Sequence, residues 1–105
     1  MNPMFTLLDC IAQNKNHPDS YHIPDAAQID QLKVGDFAKL DFQYSEKYPT
    51  PQGVDINTER MWIEITQING HKFSGKIYVC PINPNLKLGQ HVDFEAKHIC
   101  NVDYK

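Results

Sequence analysis

Apolar and polar residues alternate with two different periods along this chain, and the change of period divides it. Near the start, Met4, Leu7, Leu8 and Ile11 recur at i, i+3, i+4 and i+7, the spacing of one helical face. With Pro3 suited to a first turn, the spacing predicts a short helix over 3–14, ended by Asn-Lys-Asn-His-Pro at 14–18. Polar, proline-bounded residues 19–24 read as an extended connector, and Asp25 as the cap of a second short helix over 26–32. From Phe37 the period becomes two. Ala38, Leu40, Phe42 and Tyr44 share one side of a strand over 37–44, with Lys39 and Asp41 opposite. In 60–68, Met61, Ile63 and Ile65 alternate with Trp62, Glu64 and Thr66. Asn69-Gly70 is a strong hairpin signal, and the return strand over 71–79 carries Phe73, Gly75, Ile77 and Val79 on one face. Pro81 and Pro84 interrupt the chain, a last strand covers 90–94, and a tail with His98, Ile99 and Cys100 follows. Between the first two strands, 45–58 holds Pro49, Pro51 and Gly53 and little apolar content, which predicts a long loop.

One pattern occurs twice. Leu32-Lys33-Val34-Gly35 and Leu86-Lys87-Leu88-Gly89 each precede a strand. The shared stretch is too short for a structural repeat. It reads as a turn that starts a strand, with the leucine anchored in the core and glycine permitting the tight backbone. The fold expected is α+β: a strongly bent antiparallel sheet, or a small partly open barrel of four to five strands, with short N-terminal helices. The 105 residues make a single domain, with residues 1–20 as N-terminal helix and connector and 21–105 as the β-rich core.

Composition narrows the function classes. The net charge is −3, from 10 Lys and Arg against 13 Asp and Glu. Nucleic acid and anionic membrane are therefore disfavoured as partners, and a basic protein is favoured. No stretch approaches the roughly 20 apolar residues of a membrane span. The start of the chain lacks the basic region and long apolar run of a signal peptide. Cys10, Cys80 and Cys100 make an odd set without Cys-x-x-Cys spacing, which fits a reducing, cytoplasmic setting and buried thiols. Cys80, at the end of an apolar strand, is expected to be one of them.

Candidate chemistry is sparse. His98-x-Cys100 with His91 is a single loose ligand pair, short of a structural zinc pattern, and the glycines are isolated rather than grouped in a phosphate loop. Nothing in the spacing joins Cys80 or Cys100 to His71, His91 or His98 as nucleophile and base. Neither a catalytic set, a metal site nor a cofactor is expected. The polar-tipped aromatics Tyr44, Tyr48 and Trp62, with Asp55, Glu59 and Glu64, are the candidate partner-binding residues, because exposed aromatics beside acids suit a protein interface. For Trp62 itself, burial beneath a short helix is the leading expectation.

Glu59-Arg60-Met61-Trp62-Ile63-Glu64, the two Leu-Lys-x-Gly turns, and Gly75-Lys76-Ile77 ahead of Pro81 together resemble a bacterial family of domains of unknown function, number 2314. The resemblance covers about residues 22–104, and the Glu-Arg-Met-Trp run is its most specific part. The chain departs from it at Tyr78-Val79-Cys80, where the family tends to carry an asparagine, and at Gln90, where an acid is usual. The resemblance implies no established enzyme activity. Families of this size also occur among immunity proteins that block a secreted toxin. The function expected is thus a non-catalytic, cytoplasmic protein-binding module of the immunity type, neutralising a bacterial toxin with a basic surface. The alternative is a small β-barrel binding single-stranded nucleic acid or a small ligand.

Overall fold

The computed structural model of the chain describes residues 5–105. In chain order the elements are β1 (Thr6–Leu7), α1 (Cys10–Asn16), α2 (Ala26–Asp30), β2 (Phe37–Pro49), β3 (Asp55–Asn69), β4 (Lys72–Ile77), β5 (His91–Glu95), a 3₁₀ turn (Ala96–His98) and β6 (Ile99–Asp103). The strands form one curled antiparallel sheet in the order β1-β2-β3-β4-β5, with β6 also on β2. Phe37–Leu40 pair with β6, and Phe42 and Gln43 pair with β1, so both short strands lie end to end on one edge of β2. The other edge carries β3. The 3₁₀ turn carries the chain from β5, at one end of the strand order, to β6 on the β2 edge at the other. The sheet thereby curls into a half-barrel, the α+β architecture expected from the alternation.

Its interior holds the side chains that the period of two assigned to it. Ala38, Leu40, Phe42, Met61, Ile63 and Ile65 are all buried. Across the ladder Ala38 faces Ile63 and Leu40 faces Met61. Phe73 and Phe94 stack between β4 and β5 with ring centroids 5.3 Å apart. Gly75 admits the closest approach. A Cβ there would lie 2.5 Å from both the Glu64 carbonyl oxygen and Ile63 Cγ2.

The two Leu-Lys-x-Gly segments are wired identically. Leu32 and Leu86 are both buried. The Asp36 N–H donates to Lys33 O and the Gln90 N–H to Lys87 O, each closing a turn around a glycine, at φ 98° for Gly35 and 85° for Gly89. That is the type II arrangement, with glycine third. Asp36 Oδ2 accepts from the Lys33 N–H at 2.8 Å, and Gln90 Oε1 from the Lys87 N–H at 3.0 Å. Gln90 thus does with an amide oxygen what Asp36 does with a carboxylate. Each turn then docks on a strand: the Gly35 N–H donates to Ile65 O, and the Gly89 N–H to Ile77 O.

Four expectations need correction. The helix expected over 3–14 is instead β1 followed by α1; its Pro3 and Met4 lie outside the described residues. Pairing with β2 overrides the helical spacing because it lays Leu7 opposite Phe42 and sets Phe5 against the Phe42 ring at 4.7 Å. Asp9 then starts the helix by accepting from the Ala12 N–H. Segment 45–58 is a hairpin arm rather than a loop. β2 and β3 both run into it and are joined at Thr50-Pro51-Gln52-Gly53, where the Gly53 N–H donates to Thr50 O. The expected tail is β6. The hairpin after Asn69 has Gly70, φ 62°, as its first central residue and Asn69 opposite Lys72, one step from the Asn-Gly placement.

Two glycine substitutions separate conformation from space. Gly89→Ala meets open surroundings but a left-handed φ, and should cost roughly 1–2 kcal/mol. Gly75→Ala meets backbone and should cost about 3 kcal/mol. Urea unfolding should show the larger loss at Gly75, and equal losses would contradict the close approach.

Candidate functional site

The six sequence-predicted residues separate into three places. Tyr44, Tyr48 and Glu59 converge where the arm leaves the barrel. The two tyrosines meet edge to face at 5.5 Å beside a bulge between Gln43 and Tyr48. The Glu59 carboxylate accepts from Tyr44 Oη at 2.8 Å, from the Ile82 N–H at 2.9 Å and from the Asn83 N–H at 3.1 Å. Asn83, fully buried, accepts through Oδ1 from the Asn85 N–H, and Asn85 Nδ2 donates to Tyr48 Oη. Burial and the Glu59 carboxylate push the Tyr44 hydroxyl well above its ordinary pKa. This network fastens the β4–β5 connection to the arm. Asp55 stands apart at the far end of the arm, exposed and opposite Pro49.

Trp62 and Glu64 lie on the sheet's outer face. In register, Trp62 faces Lys39 and Glu64 faces Phe37, while Asn101 and Asp103 continue the two rows on β6 and Lys76 lies opposite Glu64 on β4. The Tyr78 N–H donates to Trp62 O, which continues the Trp62 row beyond β4. Phe37, Trp62, Tyr78, Val79 and Asp103 line a shallow groove of about 180 Å³. The rings of Phe37 and Tyr78 meet at 4.9 Å, and Lys39 Nζ sits 5.2 Å from the Trp62 ring centre. Tyr78 is 57% exposed. The expected helix over Trp62 is displaced by one register step: the N-terminal segment contacts the neighbouring Asp41–Arg60 pair instead. Phe37 and Tyr78 are not among the six candidate residues, although Tyr78 is one of the polar-tipped aromatics of the sequence. Their signal was present, since Phe37 is out of phase with Ala38, Leu40 and Phe42, but only the strand register sets it beside Trp62 and Tyr78.

At the other end of the outer face Asp41 is covered, while Arg60 stays exposed. Arg60 Nε lies 3.4 Å from Asp41 Oδ2, and its guanidinium is 5.4 Å from the Tyr21 ring. Asp41 is buried, and its Oδ1 has no hydrogen-bond donor. Burial raises the Asp41 pKa, and Arg60 offsets only part of the rise. Beside them Cys10 Sγ and Cys100 Sγ are 2.7 Å apart, with Tyr21 Oη 3.5 Å from each sulfur. The hydrogen bond from Cys10 lowers Cys100 to about 7, while the same contact, together with burial, raises Cys10. Tyr21, Arg60 and Cys100 line a cavity of about 320 Å³, which also reaches Lys39 and Gln28. Cys80, by contrast, is exposed in the β4–β5 connection, because the chain leaves the sheet after Ile77, three residues before it.

Other groups lack a catalytic order. Ser74, Asp93 and His91 have the composition of a hydrolase triad. Both Ser74 Oγ and His91 Nε2 bond the same oxygen of Asp93, each at 2.7 Å, so the imidazole does not bond the hydroxyl it would have to deprotonate. Those bonds hold Asp93 below the usual carboxylate range. His98 Nδ1 accepts from the Glu95 N–H. Among the described residues no three His, Cys, Asp or Glu side chains converge as metal ligands, and no helix is long and apolar enough to cross a membrane. No family model matches the chain, and neither a curated protein nor a solved structure is significantly similar to it.

Glu59→Ala should destabilise the fold by about 1–3 kcal/mol, since it strips a buried hydroxyl and two backbone N–H groups of their acceptor. Amide exchange at Ile82 and Asn83 should accelerate, and unchanged exchange would remove the stapling role. Asp41 yields a pH prediction. Because its folded pKa is raised, the folded state takes up a proton before the unfolded state as pH falls. Its contribution to stability therefore grows from neutral pH downward and is complete below about 4. Urea midpoints of wild type and Asp41→Asn should converge over that range, relative to their separation at neutral pH.

Proposed function

We propose that the chain is a non-catalytic protein-binding module, and that its contact face is the uncovered half of the outer sheet, centred on Trp62 and Tyr78. The observation that carries this reading is the aromatic groove. Tyr78 stands exposed beside half-buried Phe37 and Trp62 on a strand face that no helix among the described residues covers, and large aromatics in such positions commonly dominate binding energy at interfaces. Glu64 and Asp103 flank the groove, and the whole chain carries −3. Lys39 lies over the Trp62 ring and Lys76 opposite Glu64, so it is the net charge of the chain that supports a partner with a basic contact surface. In its specific form, by analogy with immunity proteins of this size, the module is a cytoplasmic immunity protein that binds and neutralises a cognate toxin. Trp62 and Glu64 keep their place in this interface from the original six, and Phe37 and Tyr78 join them. Tyr44, Tyr48 and Glu59 support the interface from beneath the arm, through the network that holds the β4–β5 connection.

A small-ligand reading is favoured by one observation. Ile11, Ile23, Pro24, Ile29, Ala96 and Ile99 border an apolar crevice of about 510 Å³ between the two helices and the 3₁₀ turn, within the size range of ligand pockets. It lies apart from the aromatic groove, so substitutions at one site leave the other intact.

The experiment mixes the purified chain with proteins encoded beside its gene and measures the dissociation constant. A nanomolar complex is expected with a secreted toxin. Trp62→Ala and Tyr78→Ala should each weaken it by at least about tenfold, with circular dichroism unchanged. Asp55→Lys, at the arm's far end, should not weaken it. Absence of a complex with any neighbouring product would overturn the reading; loss of binding through Asp55 alone would move the interface to the arm.

A further inference from the structure

We propose that Cys10 and Cys100 are a redox-active pair: Cys100 reacts with a hydroperoxide such as hydrogen peroxide, and Cys10 resolves the product to an intramolecular disulfide. This inference is independent of the protein-binding reading.

Three placements carry it. The first is proximity, since two free thiols 90 positions apart in sequence meet at 2.7 Å. The second is the backbone that aims them. Lys39 pairs with Asn101 and Leu40 with Ile99, so Cys100 is the extra residue of a bulge in β6. A bulge re-aims a side chain, and here successive residues are both buried, Ile99 in the barrel core and Cys100 against Cys10. Cys10 is held from the other side as the first residue of α1, directly after the Asp9 cap, with its sulfur also 3.4 Å from His98 O. The third is access. Cys100 lines the 320 Å³ cavity beside Tyr21 and Arg60, whereas Cys10 is fully buried behind it. A small oxidant entering the cavity therefore meets Cys100 first. The hydrogen bond from Cys10 most favours the Cys100 thiolate, the reactive form toward peroxide, and the Tyr21 hydroxyl adds to it, while burial opposes it and Asp41 outweighs the small help from Arg60.

The chemistry closes without another reactant. The Cys100 thiolate attacks one peroxide oxygen and the O–O bond breaks. Cys100 becomes a sulfenic acid, and the leaving hydroxide takes up a proton as water. Cys10 sulfur then attacks Cys100 sulfur. The S–O bond breaks, the S–S bond forms, and the Cys10 proton leaves with the hydroxide as a second water. Two thiols are oxidised while one peroxide is reduced to two waters. The bond would tie α1 to β6 and so fasten the N-terminal segment over the cavity. A dithiol reductant reverses it by exchange.

The test uses the full chain carrying Cys80→Ser, which removes the exposed thiol. One equivalent of hydrogen peroxide should lower the intact mass by two hydrogens and abolish both titratable thiols. Peptide mapping of the oxidised wild-type chain should recover a Cys10–Cys100 cross-link. With Cys10→Ser added, dimedone should capture a sulfenic acid at Cys100; with Cys100→Ser added, neither product should form. Oxidised glutathione, too bulky to reach the cavity floor readily, should form the bond more slowly than peroxide at equal concentration. The pair is overturned if wild-type mapping joins Cys80 to either thiol, or if both thiols survive peroxide. Equal rates with glutathione disulfide would overturn the entry of the oxidant through Cys100's cavity.

Discussion

Strand β2 is paired on both edges, and the rest of the molecule depends on that pairing. Leu40 shows why. It faces Met61 on one side and Ile99 on the other, with none of its surface exposed. The contact closes a hydrophobic interior that no single hairpin could enclose. Two-stranded ribbons are marginal in water, and stability comes from adding strands over a shared apolar face. β2 supplies that face to β3 and β6 together, and takes β1 at its far end.

Because β2 and β3 face the interior with their even and odd residues respectively, the opposite set makes an outer face that is divided by what lies on it. At Asp41 the Tyr21 connector and the thiols cover the sheet, leaving Arg60 exposed. At Phe37 and Trp62, both half-buried, no described helix lies over it. Four successive residues therefore serve four purposes. Glu59 accepts the N–H groups of the β4–β5 connection, Arg60 pairs with Asp41 over Tyr21, Met61 fills the interior, and Trp62 faces outward. The run is dense in function because strand geometry turns each next side chain to the other face, while the changing environment along the strand supplies each with a different neighbour.

Local signals made much of the fold legible. The alternation around Leu40 and Ile63, the glycine at the β3–β4 turn and the leucine anchors at 32 and 86 act within a few residues, and all are found where their chemistry points. What escaped is set by long-range pairing. Strand β6 is short and its partner lies about sixty residues away, so its sequence resembles a tail. The arm over 45–58 lacks apolar content because it projects from the barrel and draws its order from backbone pairing and the Glu59 network. Leu7 follows a helical spacing by sequence and lies in a strand because β2 offers it Phe42. The aromatic groove was half legible, through Trp62. The thiol pair was not, since a bulge that turns Cys100 toward Cys10 leaves no mark in either residue's neighbourhood.

The position of β6 also orders events in time. The hairpins β2–β3 and β3–β4 join neighbours in sequence and need only short loops to close. The β2–β6 ladder waits for residues 99–103, and loop-closure entropy over that separation makes it slow to form. A ribosome still holding the last segment would carry a chain with its hairpins formed and one edge of β2 unprotected. That edge is a template for another strand, so the vulnerable interval in this protein's life ends only when Ile99 reaches Leu40.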